Sequence, residues 1–191
     1  MTQIQNVSGT PAGVTNDYRA MVEGFGRNYD LACTLAGWGF SVFDAAVTPT
    51  GPGDYFCKVQ NFSNDLLYIT GITLLDAGAE VINIHTSPAF VSGGTAGVLV
   101  PVNRYSGSPN LMATKAVVES DVDITGSTDT QIATINAGAG TEHSIDWSDA
   151  PIVLGPNQAL VLEAATGTSA IRYTIDCFFG VVSTNNAGGG A

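Results

Sequence analysis

Residues 170–182, AIRYTIDCFFGVV, decide the fold class of this 191-residue chain. Apolar and polar side chains alternate along this segment, with Ile171, Tyr173, Ile175, Cys177 and Phe179 in one set and Arg172, Thr174 and Asp176 in the other. A β-strand repeats every two residues, so the two sets lie on opposite faces. The pattern predicts a strand with one buried face and one solvated face, as in an antiparallel sheet.

Similar β-rich segments, separated by turn residues, continue back to residue 38. Tyr55, Cys57 and Val59 alternate with Lys58 and Gln60 in the next clearest case. We predict strands near 38–43, 55–62, 67–74, 80–85, 97–103, 114–120, 130–135, 141–147, 159–165 and 170–182. Short strands with Gly- and Pro-rich turns and no convincing long helix predict an all-β antiparallel sandwich or barrel. A jelly-roll-like sandwich fits the strand count best.

The chain divides into three parts. We predict that an extended N-terminal arm comprises residues 1–37. The sandwich domain then covers residues 38–182, and a flexible Gly-rich tail covers residues 183–191. The arm contains apolar residues without a clear period, namely Met21, Val22, Phe25, Tyr29, Leu31, Cys33 and Leu35. Such residues favour docking of the arm on a neighbouring subunit. The alternative is a local helical turn that folds over the arm's own sandwich.

Composition and charge argue against several classes of partner. Charged residues make up 12% of the chain, and its formal net charge is −11, from 17 acidic and 6 basic residues. The basic residues form no cluster, so neither nucleic acid nor an anionic membrane is expected as a partner. No stretch approaches 18 apolar residues and no signal peptide is recognised. Cys33, Cys57 and Cys177 are far apart, which favours buried thiols made in a reducing cytoplasm.

Candidate catalytic residues are few, and no nucleophile-elbow or P-loop motif occurs. The segment Glu142-His143-Ser144-Ile145-Asp146 contains the three residue types of a hydrolase triad. On a strand, however, Ser144 and Asp146 point away from His143, so we expect a structural histidine. His85 ends a predicted strand and is expected at a solvent edge or an interface. Two histidines without a nearby second ligand do not predict a zinc site.

Two further patterns suggest ligands. Asp121, Asp123 and Gly126 match the first half of an EF-hand loop, but Thr125 and Ile132 occupy positions where ligands are needed. We expect an acidic, solvated turn there, with a different kind of calcium site as the alternative. Five aromatic residues are candidates for a sugar platform: Trp38, Phe40, Tyr55, Trp147 and Tyr173. In a sandwich, such residues more often lie in the core or at a subunit interface.

Two segments resemble small jelly-roll virion proteins of tailed bacteriophages. The first is Asp54-Tyr55-Phe56-Cys57-Lys58-Val59-Gln60-Asn61-Phe62-Ser63-Asn64 followed by Leu67-Tyr68-Ile69, which is similar to a strand, an "N-x-S/T-N" turn and the next strand of that family. The second is Pro151-Ile152-Val153-Leu154-Gly155-Pro156-Asn157-Gln158-Ala159-Leu160-Val161-Leu162. It is similar to the closing strand pair, with the glycine and proline of the "L-x-PG" turn reversed. The resemblance implies a capsid decoration, capsid-vertex or fibre-base protein, usually trimeric and without enzyme activity.

Three functional classes therefore compete. The first is a non-enzymatic virion structural protein, a decoration or vertex-associated homotrimer that binds other virion proteins such as the major capsid protein. The second is a receptor- or glycan-binding module of a tail or fibre. The third is a cupin-like enzyme, which needs two or three histidines and a carboxylate that converge in the barrel. With only His85 and His143 present, no catalytic residue, cofactor or metal is expected. Buried aromatic residues would favour the first class over the second.

Overall fold

The computed structural model describes residues 29–87, 90–92, 97–126 and 130–180. Helix α1 (Tyr29–Leu35) and a 3-10 helix (Met112–Thr114) accompany the strands β1 (Gly39–Val47), β2 (Asp54–Asn61), β3 (Leu67–Asp76), β4 (Glu80–Ser87), β5 (Phe90–Ser92), β6 (Gly97–Val98), β7 (Val102–Asn103), β8 (Ala116–Gly126), β9 (Thr130–Ala137), β10 (Glu142–Asp146), β11 (Ile152–Leu154), β12 (Ala159–Ala164) and β13 (Ile171–Phe179). Neither helix is long and apolar enough to cross a membrane.

The strands form two antiparallel sheets packed face to face. Sheet A has the order β10-β3-β13-β1-β7, and β11 also pairs with β3. Sheet B has the order β5-β8-β2-β12-β4-β9, and β6 also pairs with β8. Sheet A thus contains the row β10-β3-β13-β1, and sheet B the row β9-β4-β12-β2. This interleaved order is that of a jelly roll. The predicted all-β, jelly-roll-like sandwich is confirmed.

The core lies between the inward faces of the sheets. The apolar residues of β13 are buried in alternation with its polar ones, as the sequence predicts. Aromatic rings occupy the centre: the centroids of Phe56 and Tyr173 lie 5.8 Å apart, and those of Phe40 and Phe179 lie 6.3 Å apart. Such pairs add about 0.5–1.5 kcal/mol beyond the burial of their surface.

Helix α1 packs on the sandwich, against β1 and β13. Ala32 and Cys33 are buried in this contact. Gly37 ends the helix with a φ of 81°, and the amides of Gly37 and Trp38 donate to the carbonyls of Thr34 and Cys33. This pair of bonds is the Schellman motif, which needs a left-handed residue such as glycine. A local helical turn, the alternative that the sequence leaves open, therefore occurs at residues 29–35. The rest of the predicted arm, and the tail, lie outside the described residues.

Some strand boundaries differ from the prediction. The strand expected over 97–103 is split into β6 and β7, because Pro101 has no amide hydrogen to donate to a ladder. Strand β8 continues through Asp121 and Asp123 to Gly126, so the predicted acidic turn is wrong. Strands β5 and β11 are three residues each, too short for a periodic pattern to appear.

Candidate assembly surface

His85 lies within sheet B, which corrects the expectation of a histidine at a solvent edge. Its strand, β4, pairs with β12 on one side and β9 on the other, and the residue is 7% exposed. The Nε2 atom lies 2.8 Å from Glu163 Oε2, and Asn83 Nδ2 donates to the same oxygen at 2.9 Å. The ring of Tyr55 packs edge-on against the imidazole. The carboxylate of Glu163 thus joins β12 to β4. The sequence does not predict this contact, because Glu163 and His85 are far apart along the chain.

His143 has the orientation that strand alternation predicts. It is half-buried on β10, whereas Ser144 and Asp146 are exposed on the opposite face. Its Nε2 accepts a hydrogen bond from the amide of Gly138 at 2.9 Å, which fixes the turn between β9 and β10. Hydrogen bonds from the side chain and backbone of Ser148 hold the pKa of Asp146 below its ordinary value. Ser144 and Asp146 therefore do not form a triad with His143.

Asp121 and Asp123 lie on an extended strand rather than in a loop. An EF-hand wraps its ligands around the ion by means of a tight loop, which β8 does not provide. The side chains of both residues lie outside the described part of the structure. Among the residues that are described, no group of three or more His, Cys, Asp or Glu side chains is placed to hold a metal ion.

The aromatic residues proposed for a sugar platform pack in or against the protein. Phe40 and Tyr173 are each 1% exposed. Trp38 and Trp147 are half-buried against the core, and Tyr55 packs beside Ala159 and Val161 on the outer face of sheet B. Trp38 is further covered by the ammonium group of Lys115, which lies 3.7 Å from the ring centroid. These five aromatic residues therefore serve packing.

A polar groove of about 350 Å³ crosses the outer face of sheet A. Its charged residues are Arg104, Asp146 and Asp176, and the other lining residues include Thr73 and Ser144. Among the residues that the structure describes, no aromatic side chain lines it. The groove offers hydrogen-bonding groups to a polar ligand but lacks a ring on which a sugar can stack.

The carbonyl oxygen of Gly37 anchors the long connection between β6 and β8. It accepts hydrogen bonds from Asn103 Nδ2 at 2.9 Å, Asn110 Nδ2 at 3.1 Å and Ser108 Oγ at 3.2 Å. Asn103 Nδ2 also donates to the carbonyl of Asn110, which closes the loop on itself. The side chains of three loop residues therefore fix residues 103–110 against the end of helix α1.

This anchored loop and helix α1 present apolar side chains to solvent. We define the β7 surface as six exposed residues from these two elements: Leu31, Leu35, Val100, Val102, Tyr105 and Leu111. Val100 is 86% exposed, Val102 64% and Leu111 63%. Leu31 and Leu35 are four residues apart on one helix and so share a face. Exposed apolar side chains of this kind, close to the strand that ends sheet A among the described residues, are typical of a protein interface.

A second apolar feature lies at the edges formed by β9 and β11. A groove of about 470 Å³ there is lined by Ile132, Ile152, Val153 and Leu154, with Thr86, Thr130 and Gln158. Ile132 and Val153 are 42% and 45% exposed. In each sheet order, these edge strands stand at the opposite end from β7 in sheet A and from β5 and β6 in sheet B. The sandwich therefore has exposed apolar residues at both of its lateral edges.

Two comparisons of the sequence with known proteins found no match. No protein-family model matches the sequence, and no curated protein is similar to it. The geometry of the described residues therefore carries the functional argument.

Proposed function

We propose that this chain is a non-enzymatic virion structural protein that assembles as a symmetric homo-oligomer on a bacteriophage particle. In this role it is a capsid decoration or vertex-associated protein, made in the host bacterial cytoplasm, and it contacts the major capsid protein. The observation that carries the proposal is the β7 surface. The jelly-roll-like fold and the resemblance in sequence support the same function.

The energetics of the β7 surface favour a protein partner. Full burial of one large apolar side chain gains about 1.5–3 kcal/mol. Six such residues, half of them more than 60% exposed, are a liability for a lone subunit. The hydrogen bonds to Gly37 fix the loop beforehand, so little conformational entropy is lost when a partner covers it.

The two lateral edges suggest how subunits associate. If the β7 surface of one subunit packs into the groove at β9 and β11 of the next, the contact is head-to-tail. A head-to-tail contact closes into a ring when the rotation between subunits allows it. We propose a trimeric ring, in agreement with the oligomeric state that the sequence resemblance implies. The segment before helix α1, residues 1–28, is proposed to extend onto a neighbouring subunit.

Substitution of the β7 surface tests the proposal. We expect Leu111→Glu and Val102→Glu to lower the oligomeric state in light scattering, because a buried unpaired carboxylate opposes association. Phe62→Glu is the matched control, since Phe62 is 49% exposed but lies in the turn after β2. Electron microscopy of particles to which the purified protein is added then shows whether it binds the shell. A monomeric wild-type protein, or β7 variants that assemble normally, would refute the proposed interface.

A separate deletion tests whether residues 1–28, before helix α1, contribute to assembly. Because α1 is part of the packed domain, the informative truncation removes residues 1–28 and keeps residues 29–37. We expect this truncation to weaken assembly while the domain still unfolds cooperatively. An unchanged oligomeric state together with unchanged particle binding would show that residues 1–28 are not an assembly element.

The alternative is a tail or fibre module that binds a receptor or glycan. The polar groove with Arg104, Asp146 and Asp176 is the observation in its favour. The described lining of this groove contains no aromatic side chain on which a sugar ring could stack. We therefore rank the glycan-binding alternative second. Glycan-array binding that Asp176→Asn abolishes would make this alternative the better account.

A further inference from the structure

Two buried acidic residues lie at the connection between β3 and β4, where the chain passes from sheet A to sheet B. Asp76 ends β3 of sheet A and continues the inward face formed by Ile72 and Leu74. Glu80 begins β4 of sheet B, on the same inward face as Ile82. Asp76 is 0% exposed and Glu80 is 2% exposed. The connection between β3 and β4 thus places two carboxylates in the space between the sheets.

In each of the two carboxylates, one oxygen accepts hydrogen bonds from nearby donors. Glu80 Oε1 accepts hydrogen bonds from the amides of Val81, Thr166 and Gly167 and from Thr166 Oγ1, at 2.7–3.0 Å. Asp76 Oδ1 accepts one from the amide of Gly78 at 3.1 Å. The second oxygens, Glu80 Oε2 and Asp76 Oδ2, are buried and have no hydrogen-bond partner in the part of the chain that the structure describes. Each carboxylate therefore has one oxygen that accepts hydrogen bonds and a second oxygen that is buried without one.

The charge of this pair requires compensation. Among the described residues, neither carboxylate forms an ion pair with a lysine, arginine or histidine. A buried carboxylate without a counter-charge is costly.

Two glycines lie close to side-chain oxygens at this end of the sandwich. A Cβ atom at Gly167 would lie 2.2 Å from Glu80 Oε2, and one at Gly78 would lie 2.0 Å from Ser169 Oγ. Gly167 thus lies directly beside the unpartnered Oε2 of Glu80, whereas Gly78 lies beside Ser169 in the loop before β13. A side chain at position 167 would displace Glu80 Oε2, one of the two unpartnered oxygens.

We propose that Asp76 Oδ2 and Glu80 Oε2 bind one calcium ion that closes this end of the sandwich. Calcium accepts six to eight oxygen ligands at about 2.4 Å in flexible geometry. Hydroxyl and carbonyl oxygens of the two loops, with water, complete the shell. The ion joins the β3–β4 connection to the loop that precedes β13. The net charge of −11 also favours cation binding. This site is separate from Asp121 and Asp123 and departs from the expectation of a protein without metal.

Calorimetric titration of the EDTA-treated, full-length protein with calcium chloride tests the proposal. We expect one calcium per chain, and a melting temperature that rises by several degrees at saturating calcium. Asp76→Asn and Glu80→Gln keep the shape and the anchoring oxygen of each side chain, and each should weaken binding at least tenfold. Glu142→Gln, an exposed acidic residue at the start of β10, should bind like wild type. Magnesium serves as the competing ion and should bind more weakly.

Three results would overturn the site. The first is wild-type protein that shows neither binding heat nor a shift in melting temperature. The second is calcium binding that survives in both Asp76→Asn and Glu80→Gln, which would place the ion elsewhere. The third is a melting temperature that rises at acidic pH but does not change with calcium, which would show that a proton, and not a calcium ion, compensates the charge of the pair. The wild-type titration does not depend on any variant, so the test remains decisive even if a variant fails to fold. The oligomeric state and particle binding are measured separately from it.

Discussion

Asn61 Nδ2 donates a hydrogen bond to the carbonyl of Leu154 at 3.0 Å and thereby joins the end of β2 in sheet B to β11 in sheet A. The same amide group donates to the carbonyl of Asp65 at 2.7 Å, and Asn61 Oδ1 accepts from the amide of Ser63 at 3.0 Å. The residue is 0% exposed. One buried amide therefore fixes the turn after β2 and the connection before β12, the two segments that carry the resemblance in sequence.

We predict that Asn61→Ala lowers the free energy of unfolding by about 2–4 kcal/mol, because the buried carbonyl of Leu154 and the part-buried carbonyl of Asp65 lose their donor. Urea denaturation measures this change. Asn64→Ala, an exposed residue in the same turn, should stay within about 0.5 kcal/mol of wild type. Equal stability of the two variants would show that the amide of Asn61 does not join the sheets.

The ion pair between Lys58 and Glu119 gives a second prediction. Lys58 Nζ lies 2.5 Å from Glu119 Oε2, and the side chains are only 5% and 15% exposed. Lys58→Met should destabilise the protein by about 3–5 kcal/mol, because it leaves a nearly buried carboxylate without its cation. The double variant Lys58→Met, Glu119→Leu should recover most of that loss. Thermal unfolding of the single and double variants is the measurement, and an additive loss in the double variant would contradict the argument.

The three cysteines should be inert in the native protein. All of them are buried, and burial raises the pKa of the Cys57 thiol to about 12. The thiolate is the reactive species, so Cys57 stays protonated at pH 8. Ellman's reagent at that pH should label no thiol in buffer and three in denaturant. Rapid labelling of the folded protein would mean that this part of the core opens readily.

Asp76 gives the fourth prediction, for protein kept free of calcium with EDTA. Burial raises the pKa of Asp76, the amide of Gly78 opposes this, and the charge of Glu80 adds to it. The folded state therefore holds the proton more tightly than the unfolded state. This stability is fully present below pH about 4 and is lost as the pH rises through the folded pKa.

Asp76→Asn removes this titration, so its advantage over wild type in urea denaturation should grow as the pH rises from about 4 to 7. The isosteric amide also carries a hydrogen that it can donate to a neighbouring oxygen. The difference between the two proteins isolates Asp76 from the other carboxyl groups. A difference that is constant with pH would show that Asp76 titrates normally.

The sequence by itself determined the β architecture. The alternation in residues 170–182 and 55–60 depends only on the two-residue repeat of a strand, which is local. It therefore predicted the buried face of β13, the burial of Cys57 and Cys177, and the opposed faces of His143 and Ser144. Where local signals were weak, prediction failed. The acidic segment at Asp121 and Asp123 has a turn-like composition, but its pairing with β2 makes it a strand.

Only the tertiary structure decided which distant residues meet. Asp76 and Glu80 are four residues apart, yet they belong to opposite sheets and are both buried, because the chain crosses the sandwich between them. Glu163 reaches His85, and the three donors of residues 103–110 reach Gly37, through pairings that no periodic pattern encodes. Periodicity reports the face on which a side chain lies. The partner across that face is set by strand order, which depends on the packing of the whole core.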